Sequence, residues 1–296
     1  MTSAPSILIT IDVEDWFQVE NFKPWISYES WGSRELRVER NVHTLLDLFN
    51  SVSLCPPGGV PTTVKATFFV LGWIAQRLPH LVREIHNRGH EVASHGFSHD
   101  LCATQSLEDL KKDLSQSRQL LEEIIGVRVY GYRAPSFSVN DDVLRVIEDG
   151  GYLYDSSFNS FELNSRYGRL SLAGSVREGV LYPVSPGFFE LSVSNLKFAT
   201  ATLPLGGGGY FRLLPFPVFR HGVRRVLGKE GSYLFYLHPW EIDPDQPRVK
   251  EAGFYFKFRH YVNLGTTLSK LKRLITSFPH ARFTTCRDFI LSHHRE

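Results

Sequence analysis

Short apolar runs alternate with helix-spaced segments almost from one end of the chain to the other, and this alternation limits the fold more than any other feature. ILITID (7–12), KATFFVLG (65–72), HEVASH (90–95), VYGYRAP (129–135), YLYDSS (152–157), SYLFYLHPW (232–240) and ARFTT (281–285) read as strands. Several are apolar at successive positions, as strands covered on both faces of a parallel sheet require. Between them, Arg40–Asn50, Leu78–Arg88, Ser106–Ile125, VLRVIEDGG (143–151) and a stretch near Leu264–Phe278 read as helices. Ser106 with Asp109 three residues on has the form of a capping box, with Asp in place of the preferred Glu or Gln. Gly89 and Gly126 stand where glycines end helices. SLCPPGGVPT (53–62) is a Pro/Gly break. The pattern implies an α/β fold with a parallel sheet and helices packed outside it. We expect one domain over 1–296, a closed or nearly closed β/α barrel, with an irregular insertion about 158–231.

The chain has 296 residues, 42% of them hydrophobic, enough for a large core. A net charge of +2 with 22% charged residues gives no reason to expect nucleic acid as a partner. Three cysteines, Cys55, Cys102 and Cys286, lie far apart without a CxxC pair, which favours a reduced, cytoplasmic setting. The short polar start MTSAPS leaves no room for a secretion signal, and no run of about 18 apolar residues would span a bilayer.

In folds of this class chemistry gathers at the C-terminal ends of the strands. Here those ends carry Asp12, Glu14 and Asp15; His95 and His99; Arg133; Asp155; and His238 with Glu241. His95 and His99 come together if their segment takes one helical turn, and two imidazoles with a carboxylate suit a divalent cation. Alone, an HxxxH pair is more often solvated. The acidic IDVED stretch (11–15) supplies the missing carboxylates. Asp12 and Glu14 point to one side of an extended chain. We assign Asp12 as general base and Glu14 as metal ligand, with Asp15 the alternative ligand. Arg133 can hold the base carboxylate by a charge-assisted pair. His238 can protonate a leaving amine, oriented by Asp155 as first candidate and Glu241 as second. A backbone N–H at Ser136 or Phe137 would face the oxyanion. Trp240 and Leu237 could wall the pocket, and Trp16, Phe17, Trp31 and Trp240 are aromatics suited to stacking on a sugar ring. GGGG (206–209) lacks the spacing of a phosphate loop and reads as a flexible loop near substrate. RHGVRR (220–225) is a basic cluster that could touch anionic headgroups or a sugar diphosphate.

In order, TIDVED, SHGFSH, RAPSF, YDSS and YLHPWE resemble the five motifs of the NodB-homology polysaccharide deacetylases, the fourth carbohydrate esterase family. The resemblance runs from about Leu8 to the last strand. DVEDWF, LPLGGGGYFR and HPWEID look like the branch associated with bacterial exopolysaccharide clusters, which implies a C-terminal extension, here about 242–296. It also implies a distorted (β/α)7-type barrel, a divalent metal that is often zinc, and release of acetate from an N-acetylated sugar. Carried over, Asp12 is the base, His95 and His99 are ligands, Arg133 orients the base, His238 is the acid and Asp155 tethers it. The family commonly has two adjacent aspartates where this chain has Asp-Val-Glu-Asp, so the carboxylate ligand stays open between Glu14 and Asp15. The substrate would be an N-acetylated oligosaccharide, polysaccharide or lipid-linked glycan, with a peripheral membrane contact conceivable. An amidohydrolase of small amides and a silent carbohydrate-binding protein are the competing readings. The silent protein would be expected to lose the base or a histidine, and this chain keeps both.

Overall fold

The structure, a computed structural model, describes residues 4–54, 61–161, 168–172, 176–197 and 202–294. Most of the Pro/Gly break, residues 55–60 with Cys55, lies outside them. The elements in chain order are β1 (Ser6–Val13), α1 (Val38–Ser51), β2 (Ser53–Leu54), β3 (Thr62–Thr63), β4 (Ala66–Val70), α2 (Gly72–Arg77), α3 (Pro79–Asn87), β5 (Glu91–Ser94), α4 (Leu107–Ile125), β6 (Gly131–Tyr132), α5 (Asp141–Asp149) and β7 (Tyr154–Asp155). There follow β8 (Leu181–Ser185), β9 (Phe188–Leu191), β10 (Asn195–Lys197), β11 (Thr202–Pro204), α6 (Gly208–Leu213), α7 (Phe216–Glu230), β12 (Ser232–Leu237), α8 (Phe254–Tyr261), α9 (Leu264–Thr276), β13 (Arg282–Phe283) and α10 (Cys286–His293).

The main sheet runs β12-β1-β4-β5-β6-β7-β9-β8. Every neighbouring pair from β12 to β9 is parallel, and only β8 is antiparallel to its neighbour. The seven parallel strands curl into a distorted half-barrel. Its seam is crossed by irregular backbone: Ser194 N–H donates to the Leu234 carbonyl at 3.3 Å, and Tyr236 N–H to Gly206 at 2.7 Å. β1 is central and buried along its whole length, which accounts for its unbroken Ile/Leu character.

The helices follow their sequence signals. Ser106 Oγ accepts the Asp109 N–H at 3.1 Å at the start of α4, and Gly126, at φ +72°, ends it. Asn140 caps α5 through the Val143 N–H at 2.8 Å. Two readings need correction. VYGYRAP forms strand only at Gly131–Tyr132, because the Ala134-Pro135 turn ends it. ARFTT forms only β13, which pairs beside the start of β1. Among the described residues of 158–231, β8 and β9 extend the main sheet, and α7 leads directly into β12.

Gly131 sits where the strands pack most tightly. A Cβ there would lie 2.1 Å from Cζ of Tyr154, whose hydroxyl donates to buried Glu91 at 2.9 Å. Gly131→Ala is expected to cost about 2–3 kcal/mol through overpacking, measured by urea unfolding.

Candidate active site

The site forms where β1, β5, β6 and β12 end. β1 stops at Val13, and Glu14 N–H folds back to the Asp12 carbonyl at 2.9 Å. Asp12 and Glu14 still face the same cavity, of about 150 Å³, which His99, Ser136, Tyr236 and His238 also line.

Arg133 is wholly buried (0% exposed). Its Nη1 donates to Asp12 Oδ1 and Thr10 Oγ1, each at 2.7 Å. Its Nε and Nη2 donate to the Ser156 carbonyl and Ser156 Oγ at 2.9 and 2.8 Å. Its own carbonyl lies 2.7 Å from His95 Nδ1. A carbonyl can only accept, so Nδ1 carries the proton and Nε2 faces inward.

Glu14 Oε1 lies 3.1 Å from His95 Nε2 and 3.0 Å from His99 Nε2. One ligand atom from each residue falls within 4.8 Å of the others, and all three residues are buried. Two imidazole nitrogens and a carboxylate oxygen are the donor set of a catalytic zinc site with positions left for water and substrate, so these residues fit a divalent ion. Burial pushes the Glu14 carboxyl up, but charge on His99 and His238 holds it well below the usual range.

The histidine pair is not on a helical turn. Gly96 has φ +72° and His99 φ +59°, so the segment is a left-handed loop. α4 holds it in place: Phe97 N–H donates to both carboxylate oxygens of Asp113 at 3.0–3.1 Å, and Ser117 Oγ donates to the Gly96 carbonyl at 3.0 Å. Sequence reasoning missed both residues. The available signal was a serine on the buried stripe Leu110, Leu114, Ser117, Leu121.

Asp15 is not a ligand. It accepts N–H bonds from Trp16, Arg37 and Val38 at 2.7–2.9 Å and so caps the start of α1. Asp155 does not tether His238 either. It accepts from Ser157 Oγ at 2.7 Å and is coupled by a hydrogen bond to Glu190, the partner strand's residue in register. Burial pushes both carboxyls up, and at Glu190 the neighbouring Asp155 charge adds to the rise. A glutamate inside the apolar run FFEL was the sign of this pair.

The second candidate holds His238. Its Nδ1 lies 2.9 Å from Glu241 Oε1, and Arg212 Nε donates to Glu241 Oε2 at 2.7 Å. His238 Nε2 then faces the cavity, 3.9 Å from Asp12 Oδ2 and 3.7 Å from Glu14 Oε1. Burial lowers its pKa, but Glu14, Glu241 and Asp12 outweigh that and raise it to about 9.

GGGG is a close approach of backbone rather than a loose loop. A Cβ on Gly208 would lie 2.2 Å from Glu241 Oε1, and one on Gly207 would lie 2.6 Å from the Tyr236 hydroxyl. Of the two backbone N–H groups expected to face an oxyanion, that of Phe137 donates to the Ala134 carbonyl at 2.9 Å, while Ser136 lines the cavity. All four aromatics expected to stack on sugar, Trp16, Phe17, Trp31 and Trp240, are buried core residues; Trp240 also borders the cavity, but its ring is stacked between His238 and His260. Leu237 is buried in β12 and is not among the lining residues. Arg220, Arg224 and Arg225 are exposed on α7, away from the lining.

Residues 62–154 match the polysaccharide deacetylase family, and residues 156–290 match a domain of unknown function, DUF3473. The deacetylase match lies almost wholly in the first half of the chain, and the DUF3473 match begins well before the C-terminal extension expected over about 242–296. A peptidoglycan-N-acetylglucosamine deacetylase of Bacillus cereus is 31% identical over 88 residues, 30% of this chain and 41% of that protein. A chitooligosaccharide deacetylase of Sinorhizobium fredii is 36% identical over 89 residues, again 30% and 41% of the two chains. The matches thus span less than half the length of these curated relatives. A solved Mycobacterium smegmatis protein assigned as a polysaccharide deacetylase shares the fold, at TM-score 0.61 and 19% identity over 99% of this chain and 94% of that one. Puue allantoinase shares it at TM-score 0.57 and 15% identity, over 98% and 90%.

Two outcomes separate these roles. Glu14→Gln is expected to lower Zn²⁺ affinity in equilibrium dialysis by about tenfold or more. Asp15→Ala should keep Zn²⁺ but lose about 1–2 kcal/mol of stability through the missing cap. Glu190 also gives a pH signature. Its folded pKa lies above its unfolded one, so the folded state binds more protons there. Its contribution is complete below the ordinary glutamate pKa and is lost as pH rises through the folded value. Unfolding free energy measured across that range should fall less steeply in Glu190→Gln.

Proposed function

We propose that this protein hydrolyses N-acetyl groups on an amino-sugar-containing glycan, releasing acetate, with a divalent metal held by Glu14, His95 and His99. Zinc is the first candidate, from the donor set. The observation that carries the reading is the meeting of Asp12, Glu14, His99 and His238 on one cavity, with His95 behind it bonded to Arg133.

When bound, the metal would polarise the amide carbonyl and lower the pKa of water. Asp12 takes the proton of the attacking water through Oδ2, while Oδ1 stays on Arg133. The guanidinium fixes the orientation of the Asp12 carboxylate, and Thr10 and Ser156 hold the guanidinium still. Ser136 N–H faces the developing oxyanion. His238, held by Glu241, gives a proton from Nε2 to the departing amine. Relatives named for peptidoglycan and chitooligosaccharide support a glycan substrate. The likeness of DVEDWF, LPLGGGGYFR and HPWEID to the exopolysaccharide branch supports a place in exopolysaccharide assembly, acting on the polymer or its lipid-linked precursor.

The test is acetate release from N-acetylglucosamine oligosaccharides by Zn²⁺-loaded protein, with small N-acetyl amides in parallel. Asp12→Asn and His238→Ala should each lower kcat by about a hundredfold or more, and His95→Ala should lose metal and turnover together. Turnover of the small amides alone would move the reading to a non-sugar amidohydrolase. No turnover of any substrate by metal-loaded protein would leave the silent binding protein.

A further inference from the structure

α8 projects three aromatic rings outward beside the mouth of the cavity. Phe254 is 82% exposed, Tyr255 62% and Phe258 48%. Phe254 and Phe258 lie one turn apart with ring centroids 6.3 Å from each other. The opposite side of the helix is anchored. Phe256 packs edge-on against Trp25 at 5.4 Å, and buried His260 stacks on Trp240 at 4.1 Å. Arg259 of this helix lines the cavity itself, so the aromatic face and the site share one short element.

The charge along α8 and the chain that follows it has one sign. From Ala252 to Arg287 the chain has no Asp or Glu, and its cations include Lys257 and Arg259 on α8. Lys257 Nζ donates to the Lys250 carbonyl at 3.2 Å, which brings exposed Lys250 alongside. Arg248, packed on Tyr261 at 4.1 Å, adds a further cation. Glu251 is the acid adjoining the N-terminal end of this stretch.

We propose that α8 seats on the surface of an anionic bilayer and presents the cavity to a glycan carried on lipid. Exposed phenyl rings beside lysine and arginine suit the boundary between headgroups and acyl chains. A soluble polyanion would neutralise the cations but leave the rings in water, whereas a bilayer surface takes both. The surface deepens the deacetylase reading and rests on it for the substrate.

The experiment is sedimentation with vesicles of equimolar phosphatidylglycerol and phosphatidylcholine, and with phosphatidylcholine alone. Wild type, Phe254→Ser/Phe258→Ser and Lys257→Glu are compared, with acetate release from a soluble N-acetylated oligosaccharide read in parallel. Wild type should partition onto the anionic vesicles and be released at about 0.5 M salt, where the Debye length falls to a few Å. The double variant should bind about tenfold or more weakly, with its soluble-substrate activity unchanged. Equal binding by wild type and double variant, or none by either, overturns the membrane surface whatever the acetate assay shows. A soluble polyuronate that binds wild type and not the double variant, with vesicles inert, makes the face a glycan platform instead. A dimer without lipid that the double variant breaks gives the face to a second copy. If vesicle binding behaves as stated but no protein releases acetate, the surface stands and the deacetylase reading falls.

Discussion

A single buried guanidinium organises this protein. Arg133 ties Asp12 and Thr10 on the first strand to Ser156 after the seventh, while its backbone joins the end of β5 and sets the proton on His95. A charge with no solvent around it must have every donor matched, since an orphaned partner in such a pair costs about 3–5 kcal/mol. Matching them brings together strand ends far apart in sequence. The same residue thus closes the middle of the sheet and aims both the base and the first histidine.

Around that centre the reactive groups are placed by backbone conformations that need outside support. The left-handed turn through Gly96 and His99 persists because Asp113 and Ser117 on a neighbouring helix satisfy its exposed groups. Ser136, at φ +54°, lines the cavity from the strained turn after Arg133. Such strain is held by its surroundings, and it concentrates where reacting atoms must be positioned.

The acid side of the site belongs to the second half of the chain. Glu241 and Arg212 support His238, and Arg212 in turn donates to the carbonyls of Arg259, His260 and Val262 at the end of α8. Trp240 is stacked between His238 and His260. The segment over 156–290 therefore builds one wall of the cavity as well as extending the sheet, and the exposed aromatic helix is joined to the catalytic groups through buried contacts.

Much of the fold was legible in the linear chain. Hydrophobic period, caps and helix-ending glycines depend on neighbours within a few residues, and strands such as ILITID and SYLFYL carry their burial in their composition. The order of strand-end groups was legible too, as was the likeness to the polysaccharide deacetylases that residues 62–154 match. Which carboxylate serves which partner was not. Asp15 and Glu14 are adjacent and chemically alike, and only the arrival of Arg37 and Val38 makes one a helix cap while the other meets two histidines. Asp155 was the first candidate for His238 and Glu241 the second, an order reversed once the sheet paired Asp155 with Glu190 and a helix brought Arg212 to Glu241. Local patterns are written in short-range sequence, but the choice between equivalent ligands and partners is made by contacts between segments tens to hundreds of residues apart, which only the folded chain brings together.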